Sequence, residues 1–147
     1  MKFKLILDDK NEESVVVTAR RKSELTDQIE SLVMKYSGDD VIAAYTEDEQ
    51  LMLKFSQIEC VTVIDGKTYA IDTKGDRFRI KLRLNEAEQR LPSVFIRINK
   101  STLANEKRIE RFKATYSGGV DAIFKCGYRE YVSRRCFADI KRRFREK

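Results

Sequence analysis

From about residue 58 onward the sequence is cut into short apolar runs by glycine-bearing turns. These fall at Asp65-Gly66, Lys74-Gly75-Asp76, Gly118-Gly119 and Cys126-Gly127. Runs closed by residues that accept unusual backbone angles suit antiparallel strands rather than long helices. Residues 60–64 and 67–71 flank Asp65-Gly66, a dipeptide whose backbone fits a type I′ hairpin turn. Residues 77–83 carry the cleanest period of two: Phe78, Ile80 and Leu82 alternate with Arg77, Arg79, Lys81 and Arg83. One face of that strand packs and the other is a row of cations. Further strands are predicted at 94–98, 109–116, 120–125 and 129–132. Asn85 with Glu88 forms a near capping box for a short helix carrying Leu84, Ala87 and Leu91, and Pro92 prevents its continuation. Ser133 reads as the N-cap of a closing helix with Phe137, Ile140 and Phe144 on its inner face.

The first 55 residues read differently, as a small α/β unit. Phe3, Leu5 and Leu7 alternate in an opening strand, and Val15-Val16-Val17-Thr18 is β-branched enough for a second. Leu25, Ile29, Leu32, Val33 and Tyr36 then recur at helical spacing, with Ser23 as N-cap and Gly38-Asp39-Asp40 as the stop. Residues 41–45 and 51–55 flank the acidic run Thr46-Glu47-Asp48-Glu49-Gln50 as a hairpin. Asp8-Asp9 mimics the acidic pair of a phosphorylation-controlled receiver, but about 55 residues cannot hold that larger α/β domain.

Charge divides along the same line. Residues 1–59 hold 8 Lys or Arg against 13 Asp or Glu, whereas residues 60–147 hold 22 against 11. A net −5 beside a net +11 is the footprint of a polyanion-binding part joined to a part with another task. A soluble basic surface with no partner would carry the same count, so charge alone leaves both readings open. The chain has no histidine, which removes imidazole acid–base chemistry, Ser-His and Cys-His pairs, and His-ligated zinc. Cys60, Cys126 and Cys136 have no paired or metal-ligand spacing, so neither a disulfide framework nor a structural zinc site is expected. No phosphate-binding glycine loop is present. No catalytic residue, metal ligand or cofactor is therefore assigned, and an enzyme is the least supported class. With no apolar run of membrane-spanning length and nothing like a signal peptide, a cytoplasmic protein is expected.

Two segments carry the chemistry. Phe95 to Asn105, F-I-R-I-N-K-S-T-L-A-N, and Tyr131-Val132-Ser133-Arg134-Arg135 each set apolar residues beside cations and hydroxyls. That arrangement holds phosphate and base contacts in register on a rigid scaffold. At the second segment a capped helix start, its free amides and two arginines meet at one corner, which suits a phosphate. A solvated helix start with idle arginines fits the local pattern equally well. The two segments, together with the hairpin tip Asp65-Gly66-Lys67, resemble the LytTR-type DNA-binding domain of many bacterial transcription regulators. The resemblance covers roughly residues 58–145, with the three elements in matching order and spacing. This chain departs at Gly66, where a cation is usual, at Asn99, where Ser or His is usual, and at Cys136, where an aromatic is frequent.

The resemblance implies a mainly β fold: an elongated antiparallel β domain with short helices over residues 56–147, plus a small N-terminal α/β extension over residues 1–55. It implies site-specific binding of double-stranded DNA from loops, with Lys67, Lys100 and Arg135 at the groove-reading positions. Arg97, Asn99, Ser101, Ser133 and Arg134 are the accompanying DNA-binding candidates, while Asn105 is expected to bond backbone. Implied partners are a second protomer on tandem sites and a small membrane protein that restrains the regulator; no small-molecule substrate is implied. Residues 1–55 would serve dimerisation or partner docking. Two other classes compete. An RNA-binding β protein would need exposed aromatics, for which Tyr69, Tyr128 and Tyr131 are the candidates. A protein-interaction module would use the acidic N-terminal unit and leave the basic surface incidental.

Overall fold

Asp65 and Gly66 take φ angles of 52° and 77°, the pair of positive values that a type I′ turn requires. The tight hairpin expected at this dipeptide forms in the computed structural model. That model describes residues 1–37 and 40–145, leaving out the side chains of residues 37, 144 and 145. Of the predicted stop Gly38-Asp39-Asp40 the first two residues lie outside the described residues, as does the side chain of Phe144. The chain separates into two compact units, Met1–Asp39 and Asp40–Lys147.

In the first unit the helix appears where the period predicted it, as α1 (Glu24–Ser37). Ser23 caps it, with the Thr26 amide donating to Ser23 Oγ at 3.4 Å. The two expected strands do not form, and residues 1–23 carry neither helix nor strand. Phe3 is 90% exposed and Val16 is 85% exposed. Alternation alone does not make a strand, because its backbone groups need a neighbouring strand to pair with.

The second unit is built on a seven-stranded antiparallel sheet. Its strands are β1 (Val41–Tyr45), β2 (Gln50–Lys54), β3 (Ile58–Ile64), β4 (Lys67–Asp72), β5 (Arg77–Arg79), β6 (Phe95–Asn99) and β7 (Thr102–Asn105). They lie in the order β2-β1-β5-β4-β3-β7-β6. The β1–β2 hairpin, expected in the N-terminal unit, pairs through Tyr45 with Arg79 and so extends this sheet. The boundary between units accordingly falls near residue 39 rather than residue 55. A three-stranded sheet of β8 (Ile109–Ala114), β9 (Val120–Phe124) and β10 (Arg129–Val132) follows, and α3 (Arg134–Arg145) closes the unit.

Period-two alternation gives the large sheet two apolar faces, each with its own core. On one face Ile42, Val61, Ala70, Ile80 and Leu103 pack with Leu84, Ala87 and Leu91 on and just after the short helix α2 (Leu84–Arg90). On the other, Cys60, Ile71, Ile96, Ile98 and Ala104 meet Ala122, Phe124, Val132 and Ile140 from the small sheet and α3. Burying each large side chain contributes roughly 1.5–3 kcal/mol, so the two layers hold the sheet from both sides. The capping arrangement of α2 differs from expectation. The Glu86 carboxylate accepts the Arg83 amide at 3.0 Å, and Asn85 and Glu88 are left for another task. No helix among the described residues is long and apolar enough to cross a membrane.

Candidate nucleic-acid interface

Antiparallel pairing decides which loops share an end of the sheet. Strand β3 runs toward the Asp65-Gly66 turn, and Thr62 on β3 pairs with Thr102 at the start of β7. The two-residue turn Lys100-Ser101 therefore sits beside the base of the hairpin that carries Lys67. The Val63 amide donates to the Ser101 carbonyl at 2.9 Å, and the Thr62 and Thr102 hydroxyls lie 2.8 Å apart. The third element joins at the same place. The Ser133 amide, at the β10–α3 corner, donates to the Ile98 carbonyl at 2.8 Å. Ser133 Oγ accepts the Cys136 amide at 3.2 Å and caps α3 as predicted. Hydrogen bonds thus tie all three segments singled out in the sequence to one end of the sheet.

Lys67, Lys100, Arg134 and Arg135 are all exposed there. Among the described residues none of the four has a salt bridge or a side-chain hydrogen bond. Ser101 and Ser133 are half-buried beside them.

Arg97 and Asn99 lie at the same end but are engaged internally. A bulge between Arg97 and Asn99 turns successive side chains out of simple alternation. Arg97 stays on the α2 side, where it donates to Glu88 Oε2 at 3.1 Å, to Asn85 Oδ1 at 2.9 Å and to the Lys100 carbonyl at 2.8 Å. Asn99 is buried on the opposite side. Its amide nitrogen donates to the Tyr131 carbonyl at 2.6 Å and to Glu130 Oε1 at 3.3 Å, and its Oδ1 accepts the Ser101 amide at 2.7 Å. One residue grips the turn from each face of the sheet. Sequence reasoning placed both at the site and missed their fixing partners Asn85, Glu88 and Glu130. The Arg97–Glu88 separation, on neighbouring elements of opposite charge, was the available signal.

Glu130 is held in turn by Tyr128, whose hydroxyl donates to Glu130 Oε2 at 3.0 Å. Burial, with smaller pushes from Cys60 and Glu130, raises the Tyr128 hydroxyl above the ordinary tyrosine range. It remains a donor at neutral pH. Tyr69 lies under the Arg77 guanidinium at 4.7 Å, so of the three tyrosines considered for base stacking only Tyr131 is well exposed, at 52%. Asn105 bonds backbone as expected, donating to the Ile58 carbonyl at 3.0 Å and accepting the Lys107 amide at 3.1 Å. Cys60, Cys126 and Cys136 are free thiols.

The family model described as the LytTr DNA-binding domain matches residues 48–145. An uncharacterized HTH-type transcriptional regulator of Staphylococcus aureus strain MSSA476 is 31% identical over 146 residues, spanning 97% of each chain. One of the same description from strain NCTC 8325 is 30% identical over the same share. A solved LytTr DNA-binding domain from Bacillus cereus superposes with a TM-score of 0.64 at 24% identity, covering 71% of this chain and 96% of that one. The helix-turn-helix in the relatives' names has no counterpart here, since strands separate every pair of successive helices among the described residues. Matching order, mainly β architecture and a family model spanning most of the second unit agree, and the chain belongs to the LytTr DNA-binding domain family.

Proposed function

We propose that this protein is a transcriptional regulator that binds double-stranded DNA site-specifically with the basic end of its large sheet. The observation that carries the reading is the group of cations Lys67, Lys100, Arg134 and Arg135, all unpaired among the described residues and all on segments bonded to one another. Cations left without carboxylates on a stiff framework retain their full attraction for phosphate. Lys67, Lys100 and Arg135 read base edges from loops, and arginine's planar fork suits guanine in a major groove. Arg134, Ser101, Ser133 and the free amides at the start of α3 hold phosphates. Arg97 and Asn99 act as positioning residues, fixing the Lys100-Ser101 turn rather than meeting DNA themselves. The RNA alternative is weakened by the internal engagement of Tyr69 and Tyr128.

Regulators of this kind act as protomer pairs on tandem sites in the cytoplasm, some restrained by a small membrane protein. The exposed apolar side chains of residues 1–36 supply a surface for such protein contacts. Selection of bound duplexes from a random pool by the full-length chain tests the function. A shared motif among recovered sequences supports it, and a pool without a motif refutes site-specific reading.

A further inference from the structure

Beside the base-reading tips, on the part of the sheet face that the small sheet leaves open, cations and tyrosines interleave. Arg79 is paired across the sheet with Tyr45 on one side and Tyr69 on the other, so all three side chains share one face. Lys81 lies over the Tyr45 ring at 5.0 Å and Arg77 over the Tyr69 ring at 4.7 Å. Arg77, Arg79 and Lys81 are exposed, and none has a carboxylate partner among the described residues. The rings hold Lys81 and Arg77 on the open face without neutralising them, and Arg79 lies between the two tyrosines.

This row has a direction. The Ile80 amide donates to the Thr68 carbonyl at 3.0 Å, which brings Lys81 level with Lys67 one strand spacing away, about 4.8 Å. Arg77 lies four residues back along the strand, roughly 13 Å toward the other end of the sheet. At that other end the β1–β2 loop carries Glu47, Asp48 and Glu49. Cationic density is thus continuous with the DNA-reading end and gives way to acid away from it. Strands β6, β7, β3, β4, β5 and β1 lie side by side along that end. Their combined width of roughly 24 Å is most of one helical turn of duplex, about 34 Å.

We propose that Lys81, seated on Tyr45, and Arg79, paired across the sheet between Tyr45 and Tyr69, bind duplex phosphates beyond the base-reading tips, a role that depends on the DNA-binding reading above. Both add affinity without sequence preference, and Arg77 adds nothing. The test uses the full-length chain and two duplexes, the selected site alone and the site extended by about one helical turn on each side, ~10 base pairs. For the Lys81→Gln/Arg79→Gln double variant, affinity for the extended duplex falls on the order of tenfold. The slope of log K against log salt shrinks by about 2. Discrimination against a scrambled duplex is unchanged, and the loss on the short duplex is smaller than on the extended one. The charge-keeping Lys81→Arg/Arg79→Lys variant binds like wild type, as does Arg77→Gln. An unaltered slope in the double variant, while Arg135→Ala still loses discrimination, overturns this role and assigns the cations to another partner, such as an acidic protein. Equal weakening by the charge-keeping variant overturns it too, by showing a packing defect. If wild type selects no duplex, the DNA-binding reading itself falls.

Discussion

The two ends of the seven-stranded sheet carry similar cations in opposite circumstances. At the end away from the hairpin tip, Arg108 pairs with Glu59, whose side chain is fully buried, and Arg143 pairs with Glu106. At the tip end, Lys67, Lys100, Arg134 and Arg135 meet no carboxylate among the described residues. Cations of the first kind hold the fold, and cations of the second kind remain available to a polyanion. The 22 Lys and Arg of residues 60–147 count both kinds together, so that number overstates what a partner can use. Arg97 shows the division within a single turn: it lies beside Lys100 yet is committed to Glu88 and Asn85.

This contrast predicts graded effects. Arg108→Ala leaves Glu59 buried without its cation and should cost on the order of 3–5 kcal/mol of stability, read by urea unfolding. A cost under about 1 kcal/mol would place Arg108 with the surface cations. Asn99→Ala removes the link from the turn to β10 and should cost about 1–3 kcal/mol of stability. It should also weaken site discrimination, because Ser101 and Lys100 lose their anchor; normal discrimination with lowered stability would make Asn99 purely structural. Lys67→Ala and Lys100→Ala should leave unfolding within about 0.5 kcal/mol of wild type, while each weakens binding to the selected duplex by about 1–3 kcal/mol and relaxes its discrimination. The smallest effect concerns the thiols. Burial pushes Cys60 well above the usual thiol range and Cys126 up as well. Native labelling near neutral pH should therefore spare Cys60 until the protein unfolds; early modification of Cys60 would mean that the core between the sheets opens readily.

Much of the second unit was legible in the sequence because its signals were local. Asp65-Gly66 fixed a turn type, the 77–83 alternation fixed two faces, and Ser133 fixed a helix start. The first unit misled because Phe3, Leu5 and Leu7 alternate without a partner strand, and period alone cannot supply one. Residues 41–54 misled in the opposite direction: their hairpin was legible, but its pairing through Tyr45 and Arg79 is a long-range contact no window contains. The site followed the same rule. Lys67, Lys100 and Arg135 share one end of the sheet because strand directions carry them there. Arg97 and Asn99 turned inward because a bulge and two distant carboxylates, Glu88 and Glu130, decide their orientation.

The most direct test of the proposed DNA-reading end is the affinity of Arg135→Ala for a selected duplex and for a scrambled one of equal length. A loss of about 1–3 kcal/mol on the selected duplex, roughly 5- to 150-fold, with little change on the scrambled one, is the predicted result. Equal losses on both would reduce Arg135 to a phosphate contact, and no loss on either would contradict a DNA-reading role for this end of the sheet.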